Sequence, residues 1–420
     1  QRLRWPVDRL RRLLAGDDLL QHGSIVAVAT VVAGGCNYAL QVFVGRALGP
    51  GEYGVFGALF ALFYLVNVLG RGVRFSVARF VAGYDHRETA SRFHRGALGR
   101  TLAIGGAIFA VLAIASGPIG AFLGVEPGIV VVVAATVPPS LALTANRGTL
   151  DGRQRFLALG GYEILVAGAK LAFGVALVLT GFGVYGVFGG IIAALLLTLV
   201  ASTIYLRRHL GSSGSSGVPI EYGQAYRYGV PAVLAGFCLA VPTNADIVIV
   251  KHAFPTAEAG LYTSASVAAK VLIFLPMGIS TALFPKVSAD ESAAGVGRQT
   301  ALLRRGLAYA AALGTGGALV YWFFPRTILT VFFGEAYAAA APLLQWYGLA
   351  VVPFVLAVVV LNYQLARDRT TFVYVFAAGS LAEIALVWHY AASMLGVVRI
   401  VLLTNAVLFA LGVCTVIIDE

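Results

Sequence analysis

The sequence predicts an all-α membrane protein of about twelve transmembrane helices, in two six-helix bundles related by a parallel pseudo-two-fold repeat. Three observations predict it: an apolar composition, a regular run of span-length stretches, and an internal repeat. Of 420 residues, 59% are hydrophobic and 12% charged, with mean hydropathy +0.86. Soluble chains carry roughly 25% charged residues, so too few are present to cover an aqueous surface of this size.

Twelve apolar stretches run over 24–44, 53–70, 101–123, 128–146, 157–180, 184–206, 228–250, 259–284, 306–325, 339–363, 372–392 and 396–418. Each approaches the roughly 20 residues a helical span needs. Backbone polar groups cannot be left bare in lipid, and these runs are too long and too uniformly apolar for barrel strands.

Arginine and lysine fall almost entirely on one side of the alternating loops. Twenty-four lie in the arm before the first span and the segments after the even-numbered spans, whereas Arg46, Lys251, Arg326 and Arg399 lie on the other side. The positive-inside rule then places both termini in the cytoplasm of a cell membrane. The net charge of +11 reads as membrane orientation rather than nucleic-acid binding, because the bases sit between apolar runs. Only four are lysines, an arginine bias that hints at a prokaryotic, GC-rich source.

Four regions follow. Residues 1–23 carry five arginines with apolar residues at Leu3, Val7, Leu10 and Leu14. They read as a cytoplasmic amphipathic arm on the membrane surface, not a cleavable signal peptide. The chain opens on Gln1 rather than Met, so a start further upstream is expected. Residues 24–210 form the first six-helix lobe, 211–225 a Gly/Ser linker, and 226–420 the second lobe. Cys36, Cys238 and Cys414 fall inside apolar runs without a CxxC or a His/Cys cluster, and read as small buried hydrophobes. No metal site or cofactor is expected.

A shift of 206 residues aligns the first two spans and their loop with the seventh and eighth without a gap. Val42, Val44, Ala47, Glu52 and Gly54 fall on Val248, Val250, Ala253, Glu258 and Gly260. A shift of 214 places Pro139, Arg153 and Arg155 on Pro353, Arg367 and Arg369, and Gly183-Val184 matches Gly396-Val397. Six spans per half is an even number, so both halves enter the membrane from the same side, as in parallel-repeat transporters with a mid-membrane site.

The segment Arg46-Ala-Leu-Gly-Pro-Gly-Glu-Tyr-Gly54, together with Asp246-Ile-Val-Ile-Val and Glu258-Ala-Gly-Leu-Tyr262, resembles the polysaccharide transporter branch of the multidrug/oligosaccharidyl-lipid/polysaccharide (MOP) exporter superfamily. The resemblance covers nearly the whole chain. It implies an alternating-access flippase that moves a lipid-linked oligosaccharide, carried through phosphate or pyrophosphate, to the outer leaflet for cell-surface polysaccharide or glycoprotein synthesis. Arg399 departs from the pattern, standing where the family usually has Gly.

Such a protein must attract a phosphate, shelter sugars and leave the lipid tail in the bilayer. Lys170 and Lys270 lie mid-way along the fifth and eighth spans. A bare cation there costs roughly 2.5–3.5 kcal/mol, so each needs water or an anion. They are the first candidates for phosphate binding, facing one cavity, with a structural ion pair as the alternative. Arg71 and Arg74, at the inner end of the second span, are placed to catch a headgroup or to meet anionic membrane lipids. Asn37, Gln41, Asn244 and Asn405 are candidates for sugar hydroxyls, although intramembrane amides more often bond helices together.

Three acids lie within spans: Asp246, Glu163 and Glu383. Asp246, inside the repeat motif, is the best candidate for coupling to a cation or proton, with a salt bridge to Lys251 or another helix as the alternative. Glu163 and Lys170 are seven apart, hence on one face but about 10 Å apart along the axis. Pro138-Pro139, Pro276 and Pro353 are possible bends, and His94 and His389 read as packing residues. There is no GxxxxGK[ST] or HExxH motif, and the Asp17-Asp18 pair is a weak glycosyltransferase signal, so no enzyme is expected.

A monomer is expected, with no nucleic-acid partner. Two rival readings remain. A cation-coupled multidrug exporter of the same superfamily would show an acidic cleft. A membrane glycan polymerase or ligase would need a large outer loop, and the outer loops here are short.

Overall fold

The computed structural model describes residues 18–211, 222–290, 296–367, 369, 371–390 and 392–418. The arm before residue 18 and most of the Gly/Ser linker lie outside the described residues. So do the side chains of Cys238 and Pro276.

Among the described residues the chain is almost entirely helical with no strand, and each expected apolar stretch lies on one helix or on two joined by a short break. In order these are α1 (Asp18–Asn67), α2 (Leu69–Ala82), α3 (Arg87–Ile114), α4 (Ser116–Leu123), α5 (Pro127–Ala134), α6 (Val137–Gly152), α7 (Phe156–Leu177) and α8 (Gly183–Leu210). The second half holds α9 (Tyr222–Ala240), α10 (Ala245–Ala253), α11 (Thr256–Asp290), α12 (Val296–Phe323), α13 (Pro325–Phe332), α14 (Ala341–Ala366), α15 (Thr371–Tyr390) and α16 (Met394–Ile418).

Eight helical stretches meet the length and hydropathy of a span, and two of them, of 57 and 55 residues, are long enough for two spans each. The broken helix α9–α10 and the long α11 supply the other two spans of a twelve-span, all-α membrane protein in two six-helix bundles.

Helix ends depart from the apolar runs in an informative way. The second span continues past residue 70 into α2, so Arg71, Arg74 and Arg79 stand on helix rather than loop. The third span begins at Arg87, fourteen residues before its apolar run, so Arg92, Arg95 and Arg100 are helical too. Apolarity marks the lipid-buried part of a helix, not the turns that project beyond it.

The first two spans run through one kinked helix. Gly49 has φ 73° and Pro50 follows inside the helix. The glycine takes a conformation that side chains disfavour, and the proline lacks the N–H that an unbroken ladder would use. The repeat-equivalent pair is Pro255-Thr256, just past the end of α10 and at the start of α11.

Grouped by contact, the chain forms two compact units. Unit 1 comprises the described residues up to 44, with 66–121 and 126–233; unit 2 comprises 45–65, 122–125 and 234 onward. Residues 45–65 and 122–125 pack with second-half helices. In unit 1, α2 and α6 touch backbone to backbone. A Cβ on Gly148 would lie 2.6 Å from the Arg74 carbonyl oxygen, and one on Gly152 would lie 3.1 Å from the Ala82 nitrogen. Small residues four apart are the usual means of such close approach in lipid. Cys36 is half-buried, whereas Cys414 is exposed rather than buried: it sits on a face of α16 that the other helices do not cover.

Candidate functional site: two buried polar clusters

Unit 1 gathers charge from three helices around the α2–α6 contact. Arg74 on α2 grips Asp151 on α6, with Nε 2.6 Å from Oδ2 and Nη2 3.4 Å from Oδ1. Its Nη1 also lies 3.6 Å from Oε1 of Glu163 on α7. Arg147, one turn before Asp151, donates from Nη2 to Glu163 Oε2 at 2.7 Å. The side chains are 21–34% exposed, so the array is partly open. Two turns further along α7, Lys170 donates to Asn37 Oδ1 on α1 at 2.7 Å, and the Asn37 amide nitrogen donates to the Ala33 carbonyl at 2.8 Å. Arg147 and Glu163 act electrostatically on Lys170. Two arginines thus hold the two carboxylates, and Lys170 is bonded to an amide instead. One N–H of the array, Arg147 Nε, is buried without a partner.

Unit 2 builds its cluster on a helix break. Pro242, Thr243 and Asn244 interrupt the seventh span between α9 and α10, which leaves a helix N-terminus within the span. Asp246 lies on the first turn of α10, where the helix dipole favours a carboxylate, and it is 2% exposed. Its Oδ2 accepts hydrogen bonds from Tyr262 at 2.7 Å and Tyr347 at 2.5 Å, and Ser266 donates to the Tyr347 hydroxyl at 3.0 Å. Its Oδ1 is buried without a partner.

Glu383 on α15 is 3% exposed and accepts from the Thr404 hydroxyl of α16 at 2.8 Å. Asn405, next along α16, donates to the Ala350 carbonyl at 3.2 Å, while its Oδ1 is also unpartnered. A small cavity is lined by Thr243, Lys270, Tyr347 and Asn405 among others. The charged neighbours of Lys270 are Asp246 and Glu383. Here two carboxylates act electrostatically on one cation.

The clusters thus recruit Lys170, Arg74, Asn37 and Glu163 in unit 1, and Lys270, Asp246 and Glu383 in unit 2. Three candidates stand apart from them. Arg71 is exposed. Gln41 is half-buried on α1. Asn244 bonds locally to the Ala240 carbonyl at 2.9 Å and the Thr243 hydroxyl at 3.0 Å. The alternative pairing of Asp246 with Lys251 is not formed: Lys251 donates to the Leu123 carbonyl at 2.6 Å instead. Arg399 lies over the Trp346 ring, 4.9 Å from its centroid. Sequence reasoning missed Arg147 and Asp151, which it merged with the orientation-setting loop charges. It also missed Tyr262, Tyr347 and Thr404, whose only signal is their nearness in sequence or register to the buried acids.

Twelve spans and discontinuous helices carrying buried charge place the chain among multi-pass helical membrane proteins with the fold of MOP-superfamily transporters. An inward-facing multidrug resistance MATE family transporter of that superfamily superposes with a TM-score of 0.78 at 16% identity, covering 90% of this chain and 92% of the other. The lipid II flippase MurJ, in an inward closed conformation, gives 0.76 at 14% identity over 93% and 87%. A MOP-superfamily transporter from Pyrococcus furiosus, described by a binding pocket of reverse polarity, gives 0.64 at 15% identity over 92% and 92%. A family model described as "Polysaccharide biosynthesis protein" matches residues 43–342, and the chain belongs to that family. No curated protein matches it in sequence.

Proposed function

We propose that this protein is an alternating-access flippase for a lipid-(pyro)phosphate-linked oligosaccharide, moving it from the inner to the outer leaflet of a prokaryotic cell membrane. The single observation that carries the reading is the cation excess in unit 1. Among the described residues, Arg74 and Arg147 are paired with Asp151 and Glu163, while Lys170 is bonded to the neutral Asn37 amide. An anionic headgroup is the natural third counter-charge within a span. The family description and the lipid II flippase among the similar folds point the same way. The work is binding and reorientation, with no covalent step, and the protein acts as a monomer.

Coupling is assigned to unit 2. Asp246 and Glu383 form an acceptor-rich pair that a proton or a monovalent cation would complete, with Lys270 as the resident counter-charge. This acidic set is also the observation that favours the second reading, a cation-coupled multidrug exporter.

The test is translocation of a fluorescent undecaprenyl-pyrophosphate disaccharide in proteoliposomes. Accumulation in the opposite leaflet, reduced by Lys170→Ala, supports the proposal. Export of a cationic dye without glycolipid movement supports the exporter. In this reading both termini lie in the cytoplasm. Reporters after residues 90, 215 and 295 should read cytoplasmic and those after 51 and 257 exterior.

A further inference from the structure

Four basic residues lie on the side of the spans opposite the arginine-rich loops, and three of them are matched to acceptors. Arg46 donates to the Phe332 and Val331 carbonyls at 2.9 and 2.6 Å, Lys251 to the Leu123 carbonyl at 2.6 Å, and Arg326 to Glu335 Oε1 at 2.6 Å. Arg399 is the exception. It is exposed near the start of α16 and belongs to none of the ion pairs among the described residues. Its guanidinium lies over an indole face, 4.9 Å from the Trp346 centroid.

Stacking uses the flat face of a guanidinium and leaves its in-plane N–H groups free. Those groups form a fork that fits two oxygens of a phosphate. The other half of the site is aromatic. Trp322, near the end of α12, meets Trp346 of α14 edge to face, with centroids 6.1 Å apart and planes at 70°. Trp322 is 38% exposed and Trp346 is half-buried. The two rings make a corner whose open indole face suits the C–H side of a sugar ring, where partly positive hydrogens meet negative π density. The corner is held from beneath. Gln345 donates to the Trp322 carbonyl at 2.9 Å, and the Tyr321 hydroxyl donates to the Ala268 carbonyl at 2.7 Å. Val397 and Val398, just before Arg399, are fully buried. The recognition groups are therefore fixed before a ligand arrives, which lowers the ordering cost of binding.

We propose that Trp322, Trp346 and Arg399 form a sugar-phosphate site on unit 2, outside both buried clusters and at the membrane face opposite the termini. The sugar ring lies against the indole corner, and the adjoining phosphate takes the Arg399 fork. In the topology proposed above this is the outer face, so the site receives the headgroup after translocation. That role rests on the flippase reading; the binding chemistry does not.

The test is a titration read at the site itself. Trp5 and Trp388 are replaced by Phe, so that of the four tryptophans only Trp322 and Trp346 emit. The protein, in phosphatidylcholine nanodiscs, is titrated with geranyl-pyrophosphoryl-N-acetylglucosamine. A saturable shift of the indole emission is expected. Geranyl pyrophosphate, which lacks the sugar, should bind roughly five- to tenfold more weakly. Arg399→Gln should weaken the sugar probe by about tenfold or more and Arg399→Lys by less, each with little change in the midpoint of thermal unfolding. Trp322→Leu, read through Trp346 alone, should weaken it by roughly fivefold or more; where that variant fails to fold, Arg399→Gln carries the test. A silent emission in the folded parent, or unaltered affinity in Arg399→Gln, would overturn the site. So would a full shift in phosphatidylglycerol nanodiscs with no further response to the probe, which would make the pair an anchor for anionic lipid. Translocation in proteoliposomes is scored separately. A chain that moves glycolipid while the corner stays silent sinks this site alone. A corner that binds the probe in a chain that moves no glycolipid keeps the site and overturns its receiving role together with the flippase reading.

Discussion

The two buried clusters differ in what they lack. In unit 1 the carboxylates are taken: Asp151 is gripped by Arg74 and Glu163 by Arg147, and the surplus is cationic. In unit 2 the surplus is in acceptors. Asp246 Oδ1 and Asn405 Oδ1 are buried without partners, and two carboxylates, Asp246 and Glu383, act electrostatically on Lys270. Under the proposed function, the arginine and lysine groups of unit 1 suit an anion and the carboxylates of unit 2 a cation or proton.

The largest effect should come from Asp246. Asp246→Ala removes the acceptor from two buried phenols, Tyr262 and Tyr347, at about 1–3 kcal/mol for each orphaned donor. Its midpoint of thermal unfolding in detergent should fall well below that of the parent. Asp246→Asn keeps an acceptor oxygen for the phenols but loses the charge. It should fold and yet slow transport by about tenfold or more. If Asp246→Asn unfolds as Asp246→Ala does, Asp246 is structural and the contrast between the units loses its functional meaning.

Lys170 comes next. Lys170→Met leaves the carboxylate pairs of unit 1 intact and costs Asn37 one bond. Glycolipid translocation should fall about tenfold, with little change in stability, whereas Lys170→Arg should retain most of it. Glu163→Gln runs the comparison in reverse. It weakens a partly exposed pair, so the stability cost should stay near 1 kcal/mol, and it should tighten binding of an anionic headgroup by freeing Arg147. Weaker headgroup binding to folded Glu163→Gln protein, read by titration, would count against an anion site there.

Much of this was legible before the fold was known, for a reason specific to lipid. A charge inside an apolar run is costly and so stands out, which is why Lys170, Lys270, Asp246, Glu163 and Glu383 could be named singly. The kink at Gly49-Pro50 was not read, because the sequence placed these residues in the loop between the first two spans, whereas they lie inside one kinked helix. Arg147 and Asp151 were hidden because they sit where α6 leaves the apolar stretch, among arginines whose placement the positive-inside rule already explained. Tyr262, Tyr347 and Thr404 were hidden because hydroxyls are common in spans; only tertiary packing shows which of them reach a carboxylate. Cys414 was misread as buried because sequence alone does not separate a helix face turned to lipid from one turned to protein.

The smallest effect should come from Arg71, three residues before Arg74 on α2. The two looked alike in sequence, but Arg74 holds two carboxylates whereas Arg71 is exposed. An exposed cation near a membrane surface acts through screened attraction to anionic lipid or headgroup, worth about 1 kcal/mol. Arg71→Ala should therefore lower translocation by no more than about fivefold at low salt, and the deficit should shrink as ionic strength rises and the Debye length contracts. Arg74→Ala, by contrast, leaves Asp151 without its fork, and its deficit should persist at high salt. A salt-insensitive loss in Arg71→Ala, as deep as that of Arg74→Ala, would place Arg71 inside the binding array and redraw its boundary by one helical turn.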